Sequence, residues 1–163
     1  MKIAICDNDV TATQQLKHLL YNYSHKHKLD LFIETFNSGE QLLSSKSRFL
    51  IIFIEYSLKG INGLETAKKL RKTDTNAKII FLTSDTDFIY DAFKVSAYRF
   101  FKKPLCADTL YKSLNEIIRR FAAQESRINN FENNCVKHLD ILTYSFGPVN
   151  EKALNIEINA CKN

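Results

Sequence analysis

Five apolar runs of strand length recur along the chain: IAIC at 3–6, LFIETF at 31–36, FLIIFI at 49–54, KIIFL at 78–82 and YRFF at 98–101. Between them the pattern becomes helical, with Val10, Leu16, Leu19, Leu20 and Tyr23 spaced along the first segment and Leu64, Ala67, Lys68 and Leu70 along the third. Runs rich in Ile, Phe and Leu that alternate with helical segments predict an α/β fold built on a parallel sheet. Parallel neighbours need a long crossover, and the helices supply it. Right-handed crossovers then put helices on both faces of the sheet. The third and fourth runs are apolar almost throughout, as central strands covered on both sides must be, whereas Glu34 and Thr35 mark the second as an edge. A last helix over 107–123, burying Leu110, Leu114, Ile117, Ile118 and Phe121, closes the unit.

The 163 residues suffice for one domain with a real core and a short appendage. With 45% hydrophobic and 25% charged residues, four Gly and two Pro, the composition excludes a disordered or fibrous chain. No run approaches the roughly 18 apolar residues of a membrane span, and MKIAICDNDV carries acids where a signal peptide needs a longer apolar stretch. A soluble, cytoplasmic protein with no membrane contact is expected. Cys6, Cys106, Cys135 and Cys161 form no C-x-x-C pair, so they read as reduced thiols, with Cys6 in the core.

The net charge of +5 resides in residues 1–125, which hold 19 basic and 14 acidic side chains. Lys68, Lys69, Arg71 and Lys72 on one helix and Arg119 and Arg120 on another read as solvated faces, since no aromatic residues interleave them as in a nucleic-acid patch. Beyond the last helix, residues 124–134 are polar and read as a linker. HLDILTYSF and ALNIEINA then suggest two strands, which bury too little to stand alone. The expected organisation is a domain over 1–123, a linker over 124–134, and a tail or the start of an incomplete effector domain over 135–163.

Binding crevices in such sheets lie outside the carboxyl ends of the strands. The first run is followed by Asp7, Asn8 and Asp9, the third by Glu55, the fourth by Thr83, Ser84 and Asp85, and the fifth by Lys102, Lys103 and Pro104. Singly, each has a plainer reading: Asp7 or Asp9 can cap the first helix, Thr83 the fourth, and Lys103 can be a surface lysine. Together, carboxylates, a hydroxyl and an ammonium at one sheet edge are the groups that a divalent cation and a phosphoryl group require.

These strand ends resemble those of a response-regulator receiver domain of two-component signalling. KIAICDND is similar to the acidic pocket, IIFIEYSLKGINGLETAKKLR to the acceptor strand and its helix, and IIFLTSDTDFIYDAFKVSAYRFFKKPL to the last two strands. The resemblance covers residues 1 to about 123 and is nearest to the branch that usually carries a LytTR-type DNA-binding domain. It implies a doubly wound sheet of order 2-1-3-4-5 and a signalling module, not an enzyme. It also implies phosphoryl transfer from a sensor histidine kinase to an Asp with Mg²⁺, Thr83 as the conserved hydroxyl, Phe100 as the switch aromatic, and Lys103 before a cis Pro104. Homodimerisation through the fourth helix, fifth strand and fifth helix, and DNA binding only through an effector domain, are further implications.

Three positions depart from that family's pattern: Glu55 stands at the acceptor position, Asn8 at that of the second acidic metal ligand, and Lys59 at that of a loop proline. Asp7 and the Ser57 carbonyl would complete a weakened Mg²⁺ site with Asn8 and Glu55. Glu carries its carboxylate one carbon–carbon bond, about 1.5 Å, further out than Asp. A misplacement of about 1 Å can cost on the order of a hundredfold in rate, and Asn8 removes a full charge from the cation's shell. The first reading is therefore phosphorylation-independent signalling in which Glu55 partly imitates a phosphorylated Asp, with output switched by regulatory partners or fixed. The second is an ordinary phospho-switch, with Glu55 a slow acceptor or an engineered replacement of Asp. The third is a docking module using Phe88, Tyr90, Phe93, Lys94, Arg99 and Tyr111, though Phe88 and Phe93 read first as core packing and Tyr90 and Tyr111 suit either role.

Overall fold

A computed structural model describes residues 1–84, 93–124 and 126. In chain order these form β1 (Lys2–Cys6), α1 (Val10–His27), β2 (Phe32–Phe36), α2 (Gly39–Ser44), β3 (Ile51–Glu55), α3 (Gly63–Arg71), β4 (Lys78–Thr83), a 3-10 turn (Phe93–Val95) and β5 (Arg99–Lys102). A C-terminal helix runs over 107–124. Each strand lies within two residues of its expected apolar run. The strands pair in parallel in the order β2-β1-β3-β4-β5, as expected.

Burial follows the pleat. β3 is buried at all five positions, and Phe53, Ile54, Ile79, Ile80 and Phe81 are sealed from solvent. Each fully buried Ile or Phe side chain contributes about 1.5–3 kcal/mol relative to exposure. One face places Ala4, Cys6, Ile52, Ile54, Ile79 and Phe81 against Leu42 of α2 and Leu64 and Ala67 of α3. β2, with Phe32 exposed, is the edge that Glu34 and Thr35 announced.

Caps set where the helices begin. Asp9 Oδ1 accepts from the amides of Thr11 (2.8 Å) and Ala12 (3.2 Å), and Asn62 Oδ1 accepts from Glu65 (2.8 Å). Both satisfy amides that a first helical turn otherwise leaves unpaired. A side chain at Gly63 would strike the Glu55 carbonyl oxygen, so the first residue of α3 must be Gly for the helix to start so close to the end of β3.

Val10, as its spacing implied, belongs to the first helix; it opens α1 one residue after the cap and is 70% exposed, ahead of the covered stripe at Leu16, Leu20 and Tyr23. Several expectations need correction. Phe121 is 42% exposed: the apolar stripe continues to it, but full burial ends at Ile117, with Ile118 half-buried. Arg71 is not a solvated face residue like the exposed Lys68, Lys69 and Lys72; its guanidinium bonds backbone carbonyls. The chain divides into two units, Met1–Ser113 and Leu114–Asn163, the second described only in its helical residues to 124 and at 126. The expected linker apart from residues 124 and 126, the tail strands, Cys135 and Cys161, and the fourth helix with Phe88, Tyr90 and Asp85 lie outside the described residues, as does the side chain of Phe93.

Candidate functional site

The cluster grows from three strand ends. Asp7 leaves β1 with its amide donating to the Phe36 carbonyl (3.0 Å), which extends the β1–β2 pairing by one residue and aims the acid along the carboxyl edge. Its Oδ1 accepts from the Asp9 amide (2.9 Å). The two acids thus divide the roles that the sequence left open, since Asp9 caps α1 and Asp7 turns to the cluster. Glu55 closes β3, paired with Leu82, and its Oε1 accepts from the Ser57 amide (3.1 Å). Lys103 follows β5, with its amide donating to the Thr83 carbonyl (2.9 Å).

These constraints bring one ammonium between two carboxylates. Lys103 Nζ lies 2.7 Å from Asp7 Oδ2 and 2.5 Å from Glu55 Oε2. The side chains of Asp7 and Glu55 are 3% and 9% exposed and that of Lys103 19%, so all three charges have lost most of their water. Removing ions from water is costly and is repaid only with close partners and further hydrogen bonds, which the Asp9 and Ser57 amides provide here. Burial pulls the Lys103 ammonium toward release of its proton, but bonds to Asp7 and Glu55 and their charge outweigh that pull and hold its pKa above the ordinary 10.5. Beneath them the buried Cys6 thiol is pushed up to about 12, by desolvation first and then by the charges of Asp7 and Glu40.

The β3–α3 loop is braced from α2. Glu40 Oε1 accepts from the Ile61 amide (2.9 Å), and this bond, first among several, holds the Glu40 carboxyl below its ordinary value. Gly60 has φ +81°, and a side chain there would meet Glu40 Oε1 at 2.5 Å. Sequence reasoning missed Glu40, since a contact across 21 residues leaves no local pattern; the Gly60–Gly63 spacing is the sole trace of the close approach it serves.

Of the other expected residues, Thr83 is buried at the end of β4 and tied to Lys103 through the backbone. Phe100 is half-buried and stacks on Phe81, with centroids 5.5 Å apart and planes 6° from parallel. The Lys103–Pro104 peptide is cis. Asn8 is exposed, and among the described residues it makes no hydrogen bond to the cluster. Of the proposed docking residues, Lys94 and Arg99 are exposed, Arg99 lies 5.7 Å from the Tyr98 ring centroid, and the Tyr111 hydroxyl donates to the Leu19 carbonyl (3.2 Å). Among the described residues no three His, Cys, Asp or Glu side chains gather as a metal cluster, and no helix is long and apolar enough to cross a membrane.

Residues 3–115 match the response regulator receiver domain. The chain belongs to that family. Receiver domains are typically non-enzymatic modules of two-component signalling; they generally bind Mg²⁺ and imply a cognate histidine kinase. Similarity to individual regulators is distant. The sensory transduction proteins LytT of Bacillus subtilis and Oceanobacillus iheyensis are 24% and 27% identical over 116 and 130 residues, covering 71% and 77% of this chain but 47% and 51% of theirs. The chain therefore spans about half the length of these curated relatives. The response regulatory domain of mrkE from Klebsiella pneumoniae superposes with a TM-score of 0.67 at 19% identity, covering 76% of this chain and 99% of that one. TrrA of Thermotoga maritima, in complex with Mg²⁺-BeF, does so with a TM-score of 0.62 at 24% identity, covering 71% and 97%. At these identities the two structures establish the fold.

Proposed function

We propose that this receiver domain signals without phosphorylation, with Glu55 at the acceptor position standing in part for a phosphorylated Asp. The contact between Glu55 and Lys103 supports this reading most directly. Lys103 is the group expected to hold a phosphoryl oxygen, and Glu55 already supplies it with an anionic oxygen. The imitation is partial, because one charge and two oxygens replace nearly two charges and three oxygens. Phe100, half-buried on Phe81, is the switch aromatic in this reading, and Thr83 the hydroxyl of the same pocket.

Weak Mg²⁺ binding belongs to the same proposal. Asp7, Glu55 and the Ser57 carbonyl would be its donors, and both carboxylates are already engaged by Lys103. A six-coordinate cation would have to compete with that ammonium, with Asn8 contributing no charge. The domain would act on regulatory partners, and on transcription through an effector domain, as the names of its distant relatives suggest. Self-association through β5 and the elements flanking it in sequence is part of this reading.

Intact-mass measurement after incubation with a small phosphodonor and Mg²⁺ tests the proposal. The expected result is an unmodified mass. A single phosphoryl adduct that disappears in Glu55→Gln would replace this reading with that of an ordinary phospho-switch.

A further inference from the structure

The guanidinium of Arg71, at the last residue of α3, donates three ways: Nε to the Val95 carbonyl (2.9 Å), one terminal nitrogen to the Ser96 carbonyl (3.3 Å) and the other to the Asp74 carbonyl (3.1 Å). Asp74 in turn caps the turn that leads to β4, accepting on Oδ1 from the amides of Asn76 (2.9 Å) and Ala77 (3.0 Å). One side chain therefore ties the end of α3, the turn before β4 and the segment before β5. Arg71 is half-buried, and burial, opposed by the charge of Asp74, lowers its pKa.

The tied segment is one that does not hold its own shape. Ser96 has φ +49°, a left-handed conformation that a residue with a Cβ adopts at a cost. Two residues on, the Tyr98 amide donates to the Ile79 carbonyl (2.7 Å) and opens the register that continues as Ile80 opposite Arg99 and Phe81 opposite Phe100. β5 is a four-residue edge strand with β4 alone beside it, so its position depends on how the chain enters it.

We infer that Arg71 is a positioning residue for the output side of the domain: its planar fork holds residues 95–98 in the strained entry to β5 and thereby sets where Phe100 stacks and Lys103 emerges. The fork matters as much as the charge, because a lysine ammonium cannot span three carbonyls in fixed directions. This assignment rests on the backbone geometry and not on the phosphorylation-independent reading.

Native-state amide exchange, read residue by residue, tests it. Arg71→Ala should accelerate exchange at Tyr98 and along β5 by about tenfold to a hundredfold, as loss of charge-assisted hydrogen bonds predicts, with β1 and β3 unchanged. Adding Ser96→Gly, which takes the left-handed conformation freely, should recover much of that loss, while Arg71→Lys should not. Ser96→Gly alone should slow exchange at Tyr98, a result independent of how well Arg71→Ala folds. Uniform acceleration across the sheet, an unchanged Tyr98, faster Tyr98 exchange in Ser96→Gly alone, or full recovery with lysine would each overturn the assignment.

Discussion

Lys103 Nζ is bonded at once to Glu55 Oε2, the last residue of β3, and to Asp7 Oδ2, just past the end of β1. A residue beyond β5 thus closes a bridge across the carboxyl edge of the sheet. The two carboxylates are separated by 48 residues in the chain and are brought to one ammonium by strand order alone.

Shortening the acid should change the chemistry. Glu55→Asp withdraws the carboxylate by about 1.5 Å and reopens the space a phosphoryl group needs. Its labelling by a small phosphodonor with Mg²⁺ should exceed that of the wild type by on the order of a hundredfold. Mass spectra showing equal labelling would reject the length argument.

Removing the ammonium should be costly in an asymmetric way. Lys103→Met leaves two buried carboxylates facing each other, a loss of about 3 kcal/mol in urea unfolding, the lower end for breaking a buried pair because Lys103 keeps some water contact. Adding Glu55→Gln should recover part of it, since one of the stranded charges is then gone. Strict additivity of the two substitutions would argue against the bridge.

Alkaline pH should weaken the fold through the same residue. The folded state holds the Lys103 proton more tightly than the ordinary pKa of 10.5. Its contribution is therefore whole below that value and is lost as pH rises through the elevated folded one. Stability profiles above about pH 10.5 should fall less steeply in Lys103→Met than in the wild type.

The two described cysteines should differ sharply toward alkylation in the native protein. Cys6 is buried, with its thiol pushed up to about 12, whereas Cys106 is exposed and its thiol is lowered by the Thr109 and Asp108 amides at the start of the C-terminal helix. Peptide mapping after brief iodoacetamide treatment at neutral pH should find Cys106 modified and Cys6 intact. Comparable modification of both would mean that the β1 core opens readily.

Gly63→Ala should disturb the site from beneath. The added methyl meets the Glu55 carbonyl oxygen, backbone that cannot swing aside, so about 1–3 kcal/mol should be lost in denaturant unfolding. A neutral substitution would show that α3 can shift away from β3.

The strands, the edge character of β2 and the approach of Asp7, Glu55 and Lys103 at one edge of the sheet were legible in the amino-acid order, because period and polarity are local properties and parallel topology places strand ends together. Which of Asp7 and Asp9 caps α1 was not legible, since both lie within reach of the first turn. The same holds for Arg71, which shares its basic helix with Lys68, Lys69 and Lys72. Its role depends on carbonyls 24 and 25 residues away, and nothing in a run of charges marks the one that is tied down. Phe121 was misplaced because periodicity identifies a stripe but not how far along it another element lies.

The sequence by itself determined an α/β receiver with a Glu at the end of its central strand, because strand pattern and residue identity are carried in the order of the chain. Only the tertiary structure decided that the Glu55 carboxylate is bonded to Lys103 and that Arg71 bonds the Val95 and Ser96 carbonyls. Both contacts join residues far apart in the chain, and such pairs are settled by packing and by the demand that buried charge find a partner.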